Sequence, residues 1–581
     1  MVARAAAILF AWLDRPRRAV VAIACAVLLG LPALTGGLIA DDWFHRAHLD
    51  ERATVLPEGR GPLLEMFNFF PADREFLLAL RDDGIFPWWL DPDIRGGFLR
   101  PLSAVTHWID WRLLGDRPVL HHLHSLGWVA ACIAAAAAFF RTWLGPGRAA
   151  AFATLLFAVD DAHAWPTAWV ANRNALVAMT FGLLAAAAHI RGRESGSLRE
   201  RAVALAAFLA ALLAGESGVA AGALLVGVEF GRAEPLGVRV RRILPYVVVG
   251  AVWLTLWKLG GYGISGSGLY VDPFRSPARF LAQLPERFGA LTGALWWNLG
   301  VDFWVFLPHR ISLGLGLAFG LGSVAALWWM AKDRPADLRA RQAVLMACLC
   351  LVPPTAAFPM ERVLTFAGVG AAAWFSLLLL PAVEAGLPRW RDRAVLFWHL
   401  PMSAFVLFAK AIAVPAFMGQ LGKVAEAVPS DPGIVDDQLI ILSGLEITTA
   451  YIPIERELRG LPVPRDMLVL APAAASLTFT REDERTLRLD AASPMFGHAI
   501  EQLCREAPLP AGTRVQTNVA LVEVLTDDGH GRPTSLRASF PESLDSDQYR
   551  WLAPAPGTLV PFVPPPVGDS VKLETYLPLP G

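Results

Sequence analysis

Charge is scarce in this sequence. Asp, Glu, Lys and Arg make up 18% of its 581 residues and nearly cancel, leaving a net charge of -1. Such a chain has no basic surface to neutralise a phosphate backbone, and no nucleic-acid motif occurs, so nucleic acid is excluded as a partner. Cysteine is scarce too. Of Cys25, Cys132, Cys348, Cys350 and Cys504, the first four lie inside apolar runs, where a thiol behaves as a small hydrophobe. There is no disulfide framework and no zinc spacing. Repeats of helical-hairpin length are missing, and low complexity is confined to the proline run at 561–566. Apolar residues are in excess. The AVILMFWYC set is 55% of the chain, and counting the 49 Gly in place of the 6 Tyr brings it to about 62%, against roughly 45–50% in soluble domains. With a mean hydropathy of +0.44, the chain reads as a polytopic membrane protein.

A membrane-spanning helix needs about 20 apolar residues. The first candidate, 19–40, follows Arg4, Arg15, Arg17 and Arg18. It is longer than the roughly 7–15 residues of a signal-peptide core and has no clear A-x-A cleavage site, so it reads as an uncleaved span with the N-terminus inside. Further apolar runs near 119–140, 149–160, 174–190, 202–214, 217–230, 243–260, 311–330, 343–358, 363–382 and 394–416 bring the expected count to about eleven spans. The arginine clusters at 191–201, 232–242, 332–341 and 389–393 then all fall on the cytoplasmic side, where short loops are enriched in Lys and Arg. The outside receives 41–118, 160–173, 215–217, 261–310, 358–362 and everything after about 420.

That last segment changes character. The stretches 438–442, 467–470, 486–489, 514–524 and 535–540 are short, β-leaning and separated by Pro, Gly and Asp turns. The expected architecture is a polytopic α-helical membrane domain over 1–420, with a long outside loop at 41–118, and a small β-rich extracytoplasmic domain over 421–581. The expected location is the cytoplasmic (inner) membrane, in contact with its lipids.

Chemistry-bearing residues cluster in the outside segments. Asp41 and Asp42 follow directly on the first span. Adjacent carboxylates repel, so one has a raised pKa or engages a cation, and either state suits a general base or a metal ligand. An acidic end to a span accounts for the same residues. The turn 159–174 holds Asp160, Asp161, His163 and Arg173, and ionisable groups at membrane depth point to function. Glu216 sits at a hairpin turn, where a carboxylate is commonly just solvated. Glu361 and Arg362 are an adjacent acid and base between apolar runs; as a wet ion pair they contribute little, whereas beside a phosphate Arg362 supplies bidentate hydrogen bonds. His121, His122 and His124 read as interfacial, Lys258 as snorkelling, and 286–310, with its tryptophans, as a helix lying on the membrane or lining a lipid entrance.

These residues fall into blocks with a family resemblance. Phe98-Leu99-Arg100-Pro101-Leu102-Ser103, then Asp110-Trp111-Arg112-Leu113-Leu114-Gly115 and His122-Leu123-His124-Ser125-Leu126, resemble the R-P-L…D-Y-R-L-W-G…H-x-x-N-L stretch of the transmembrane and tetratricopeptide-repeat O-mannosyltransferases and their bacterial relatives. Phe157-Ala158-Val159 through Arg173 is similar to that family's F-A-V-H-P-V-H-x-E-A-V-A-W-x-x-G-R. Leu213-Ala214-Gly215-Glu216-Ser217 resembles L-S-K-E-T, and Glu361-Arg362-Val363-Leu364 resembles E-R-Y-L. The four blocks keep their order across roughly 98–370. The chain departs from the pattern where Asp160 and Asp161 replace a His and a Pro, Trp165 a Glu, Asn172 a Gly and Gly215 a Lys; His163 is retained, and no tetratricopeptide array follows.

The resemblance implies a GT-C type glycosyltransferase that takes a sugar from a polyprenyl-phosphate carrier on the outer face. It implies an acid in the first outside loop, which Asp41 or Asp42 supplies, as base or as ligand of a divalent cation such as Mg or Mn. It implies basic groups for the donor phosphate, for which Arg173 and Arg362 stand out, with Asp160, Asp161, His163, Glu216 and Glu361 as further substrate-binding candidates. The partners expected are a lipid-linked sugar donor and a glycan or protein acceptor whose identity is open, as is the metal. A non-catalytic scaffold presenting the external domain is the alternative reading. A transporter is the third, against which stands the absence of an inverted repeat.

Overall fold

The computed structural model describes residues 12–13, 17–50, 53–54, 61–333, 337–386, 389–472 and 476–574. Arg4 and Arg15, and 334–336 of one arginine cluster, lie outside the described residues. Each of the eleven apolar runs is helical, as a bilayer demands of a chain whose backbone groups find no water to bond. Among the described residues, seven helical stretches are long and apolar enough to cross a membrane: Arg18–Thr35, Pro118–Leu144, Val170–Ser195, Leu236–Leu259, His309–Ala331, Thr365–Glu384 and Trp390–Glu426. The other four runs form helices of 10 to 17 residues, Arg148–Ala158, Leu198–Ala214, Ala220–Glu229 and Leu338–Leu351. The chain is a polytopic helical protein with a β-rich C-terminal part.

The arginine clusters gather at one end of the bundle. There Arg339 donates to the Leu144 carbonyl (2.9 Å), Arg18 to that of Pro146 (2.8 Å), and Arg191 and Arg242 pair with Glu200 and Glu234. The loops read as outside meet at the other end.

Four helices position the site: α1 (Asp41–Ala47), α2 (Pro277–Trp297), α3 (His309–Ala331) and α4 (Ser403–Glu426). α2 is the aromatic segment read above as lying on the membrane. Its second half is buried instead, because it runs beside α3 in the same direction, Gly289 against Gly316 and Trp297 against Ser323. The chain turns at Asn298, in a left-handed conformation, and 298–308 returns alongside, bringing Trp304 level with Glu286 (3.2 Å). α2 with this return forms a re-entrant hairpin.

All five β-leaning stretches contain strands. β1 (Asn68–Phe70), β2 (Arg95–Gly97) and β3 (Gly263–Ser265) make a small antiparallel sheet from the outer loops. In the C-terminal part, β4 (Gln438–Ile441) and β5 (Asp466–Val469) run parallel, β4 beside β11 (Tyr549–Ala555), which pairs with β12 (Thr558–Pro561). The second sheet has the order β13-β6-β7-β10-β9-β8, built from β6 (Leu477–Arg481), β7 (Thr486–Ala491), β8 (Arg514–Gln516), β9 (Leu521–Asp527), β10 (Pro533–Ser539) and β13 (Ser570–Leu573). Trp88 and Trp89 of the first outer loop insert into the core of this unit and are about fully buried. Gly84 makes the docking possible, since a Cβ there would meet the Met467 carbonyl oxygen at 1.7 Å.

Candidate active site

The outer end of the bundle and the C-terminal unit enclose a cavity of about 2050 Å3. Residues from all four sequence blocks reach its wall: Arg100, then Trp165 and Trp169, then Glu216, then Arg362. Asp41, Asp302, Lys410 and Tyr451 also line it.

Asp41 and Asp42 part ways at the start of α1. Ala40 takes φ 46°, a conformation that L-residues adopt sparingly, to turn the chain from the first span into the helix. Asp41 lies on the cavity and accepts a hydrogen bond from the Tyr451 hydroxyl. Burial raises its pKa, opposed by that hydroxyl and by the charges of Arg362 and Arg100. Asp42 is turned inward, accepting from the backbone N–H groups of Ile39 (3.0 Å) and Ala171 (2.6 Å). Burial pushes it up to about 8. It ties α1 to the 170–173 turn and has no part in the cavity wall.

The two arginines expected at the donor phosphate also separate. Arg173 is fully buried behind the wall, paired with Asp110 (2.6 Å) and donating to Ser125 Oγ (3.0 Å) and to the His121 carbonyl (2.8 Å). The structure places Arg173 behind the cavity wall with its guanidinium engaged by these partners. Arg362 faces the cavity over the rings of Trp169 (5.3 Å) and Phe358 (5.9 Å), with no carboxylate partner among the described residues. A half-buried guanidinium over two rings, with no ion pair among the described residues, is suited to an anion.

Glu216 is not free in solvent. It accepts from the Leu99 N–H (3.0 Å), the Trp257 indole (3.2 Å) and Arg100 Nε (2.8 Å), and so fixes Arg100 at the wall, 4.1 Å above Phe98. His163 is a core residue: its Nε2 meets the Phe157 carbonyl (2.8 Å), its ring packs edge-on against Phe157, and burial pushes its pKa down to about 4. Asp160 caps its own turn through the Ala162 N–H (3.0 Å), and burial together with Asp161 pushes it up to about 7.

Asp161 and Glu361 converge on Lys410 of α4. Lys410 Nζ pairs with Asp161 (2.6 Å) and with Glu361, and lies 4.0 Å from Asp302 of the re-entrant return. Asp302 in turn accepts from the Trp165 indole (2.7 Å) and the Glu361 N–H (3.0 Å), and Glu361 from the Val301 N–H (3.3 Å).

Sequence reasoning passed over Arg100, Asp302, Lys410 and Tyr451 as site residues. Arg100 stood inside the first block, and Lys410 was signalled as the lysine in the middle of an apolar run. Nothing local marks Tyr451, which reaches Asp41 from 410 residues away. Among the described residues no three His, Cys, Asp or Glu side chains converge as a metal-ligand set. Beside Asp41 the donors are one carboxylate and a phenol, which do not make a Mg or Mn site.

No family model and no curated protein matches the chain. Among solved structures it is similar to ArnT from Cupriavidus metallidurans bound to undecaprenyl phosphate, at 15% identity over 76% of this chain and 85% of that one, with a TM-score of 0.36. It is also similar to the Archaeoglobus fulgidus oligosaccharyltransferase tethered to an acceptor peptide containing the NVT sequon, at 11% identity over 80% of this chain and 64% of that one, with a TM-score of 0.40. The resemblance to the GT-C class rests on the four sequence blocks and on the cavity in whose wall they meet.

Proposed function

We propose that the protein transfers a sugar from a polyprenyl-phosphate donor to a hydroxyl-bearing acceptor inside this cavity. The arginine-rich end faces the cytoplasm by the positive-inside rule, which places the cavity on the outer side of the membrane. The observation that supports the reading best is the convergence of four blocks, far apart in sequence, on one wall that also holds the Asp41 carboxylate and presents Arg362 without an ion pair among the described residues.

Asp41 takes the proton of the acceptor hydroxyl as that oxygen attacks the anomeric carbon. The bond from that carbon to the phosphate oxygen breaks, and its electron pair leaves with the polyprenyl phosphate. Arg362, together with Arg100 held by Glu216, stabilises the growing negative charge on the leaving group. Attack from the side opposite the leaving group inverts the anomeric configuration. Tyr451 orients the base. No step is routed through a cation.

Transfer of labelled sugar from polyprenyl-phosphate donors, in membranes with matched expression, tests the reading. Wild type transfers label, Asp41→Asn lowers the rate by about 10²-fold or more, as expected for loss of a general base, and Asp42→Asn retains transfer in proportion to the protein that folds. Absence of transfer above an empty-membrane control with every donor rejects the enzyme and leaves the scaffold.

A further inference from the structure

Arg362 poses a question of charge. Its neighbour in sequence is Glu361, and Asp302 lines the same cavity, yet its guanidinium rests on two aromatic rings. Guanidinium is the better partner for carboxylates, because its fork matches two oxygens at once. The carboxylates are nevertheless held elsewhere. Lys410 brings one ammonium from α4 into a group of three, Asp161, Glu361 and Asp302; Asp302 also accepts from the Trp165 indole and the Glu361 N–H, and Glu361 from the Val301 N–H.

We propose that Lys410 is a positioning residue: by holding Asp161, Glu361 and Asp302 it keeps Arg362 free of a counter-ion and available to the donor phosphate, a role that rests on the transfer reading above. Without the ammonium, Asp302 at the cavity wall and Asp161 and Glu361 behind it lose their counter-charge, and Arg362 is a cation on the same wall as Asp302. The charge of Arg362 already acts on Asp302. Capture of Arg362 leaves the fold intact and the phosphate site neutralised.

Two measurements on purified full-length protein test this. The first is site-resolved modification of Arg362 by phenylglyoxal, which reacts with unpaired guanidinium groups. The second is binding of undecaprenyl phosphate. In Lys410→Gln, modification of Arg362 is expected to slow about tenfold and the Kd to rise by a similar factor, the scale of one charge-assisted contact. Lys410→Arg keeps both near wild type, and Lys410→Gln/Glu361→Gln/Asp302→Asn, which removes the charge next to Arg362 in sequence and the one on its cavity wall, recovers both. Unchanged modification of Arg362 in Lys410→Gln overturns the proposal, and so does a triple variant that recovers neither readout. Lost binding with Arg362 still reactive also overturns it, by making Lys410 itself the phosphate ligand. If wild type binds no polyprenyl phosphate while the modification pattern follows expectation, the transfer reading falls and the role of Lys410 stands.

Discussion

A carboxylate accepts a proton from an alcohol only while it is ionised, and Asp41 is held between opposing influences. Burial favours its neutral form; the Tyr451 hydroxyl and the charges of Arg362 and Arg100 favour the ionised one. Removing a stabilising charge therefore raises its pKa further. In Arg362→Ala the acid limb of the transfer-rate profile is expected to move to higher pH, in addition to the weaker donor binding, whereas Asp42→Asn leaves the limb where it is. Arg173→Met should behave differently from either. It leaves Asp110 buried with only His124 beside it, a broken buried pair that costs about 3–5 kcal/mol. The expected readout is loss of folded protein in detergent, measured by size-exclusion fluorescence, where Arg362→Ala elutes as wild type. Residue identity alone did not separate these two arginines, nor Asp41 from Asp42. In each pair the chemistry is the same and the direction of the side chain, set by contacts that reach up to 410 positions away, decides the role.

Elements were legible in proportion to how local their cause is. Eleven apolar runs became eleven helical stretches, because burying an apolar run in lipid leaves the helix as the backbone's way to satisfy itself. The re-entrant course of α2 has no such local cause. It depends on Gly289 and Gly316, which let two helices touch; a Cβ on Gly289 would lie 1.9 Å from the Gly316 carbonyl oxygen. Gly289→Val should force the pair apart at a cost of about 1–3 kcal/mol or more. Asp302 hangs from the return of that hairpin, so the variant is expected both to melt earlier and to lose transfer, measurable as a lower Tm and as faster hydrogen exchange across 298–308. The parallel pairing of β4 with β11 was equally hidden, since it joins strands more than a hundred residues apart.

At the scale of the molecule, the C-terminal unit closes the cavity and fastens to the first outer loop. Trp89 donates to Glu446, which also accepts from the Cys504 N–H (3.0 Å) at the cavity edge. Burial pushes Glu446 up to about 8 from an ordinary value of 4.5. The folded state thus holds a proton that the unfolded chain releases, and the stabilisation is fully present below about 4.5 and lost as pH rises through 8. Thermal unfolding of the unit, followed by tryptophan fluorescence, should shift to lower temperature as pH rises across that window, and Glu446→Gln should flatten the slope. The β-rich composition of this unit was plain in the sequence. Its place over the cavity was not, because Trp88, Trp89 and Tyr451 look like ordinary core residues until their partners are known.

The hydrogen bond from Tyr451 to Asp41 also has a bearing on how the protein is made. Asp41 emerges from the ribosome 410 residues before its phenolic partner. During synthesis the base therefore waits beside an open, unroofed cavity with its orienting hydroxyl missing. The contact forms only when the segment that carries Tyr451 folds down onto α1, so a chain released before that point lacks the wall that the C-terminal unit gives the cavity.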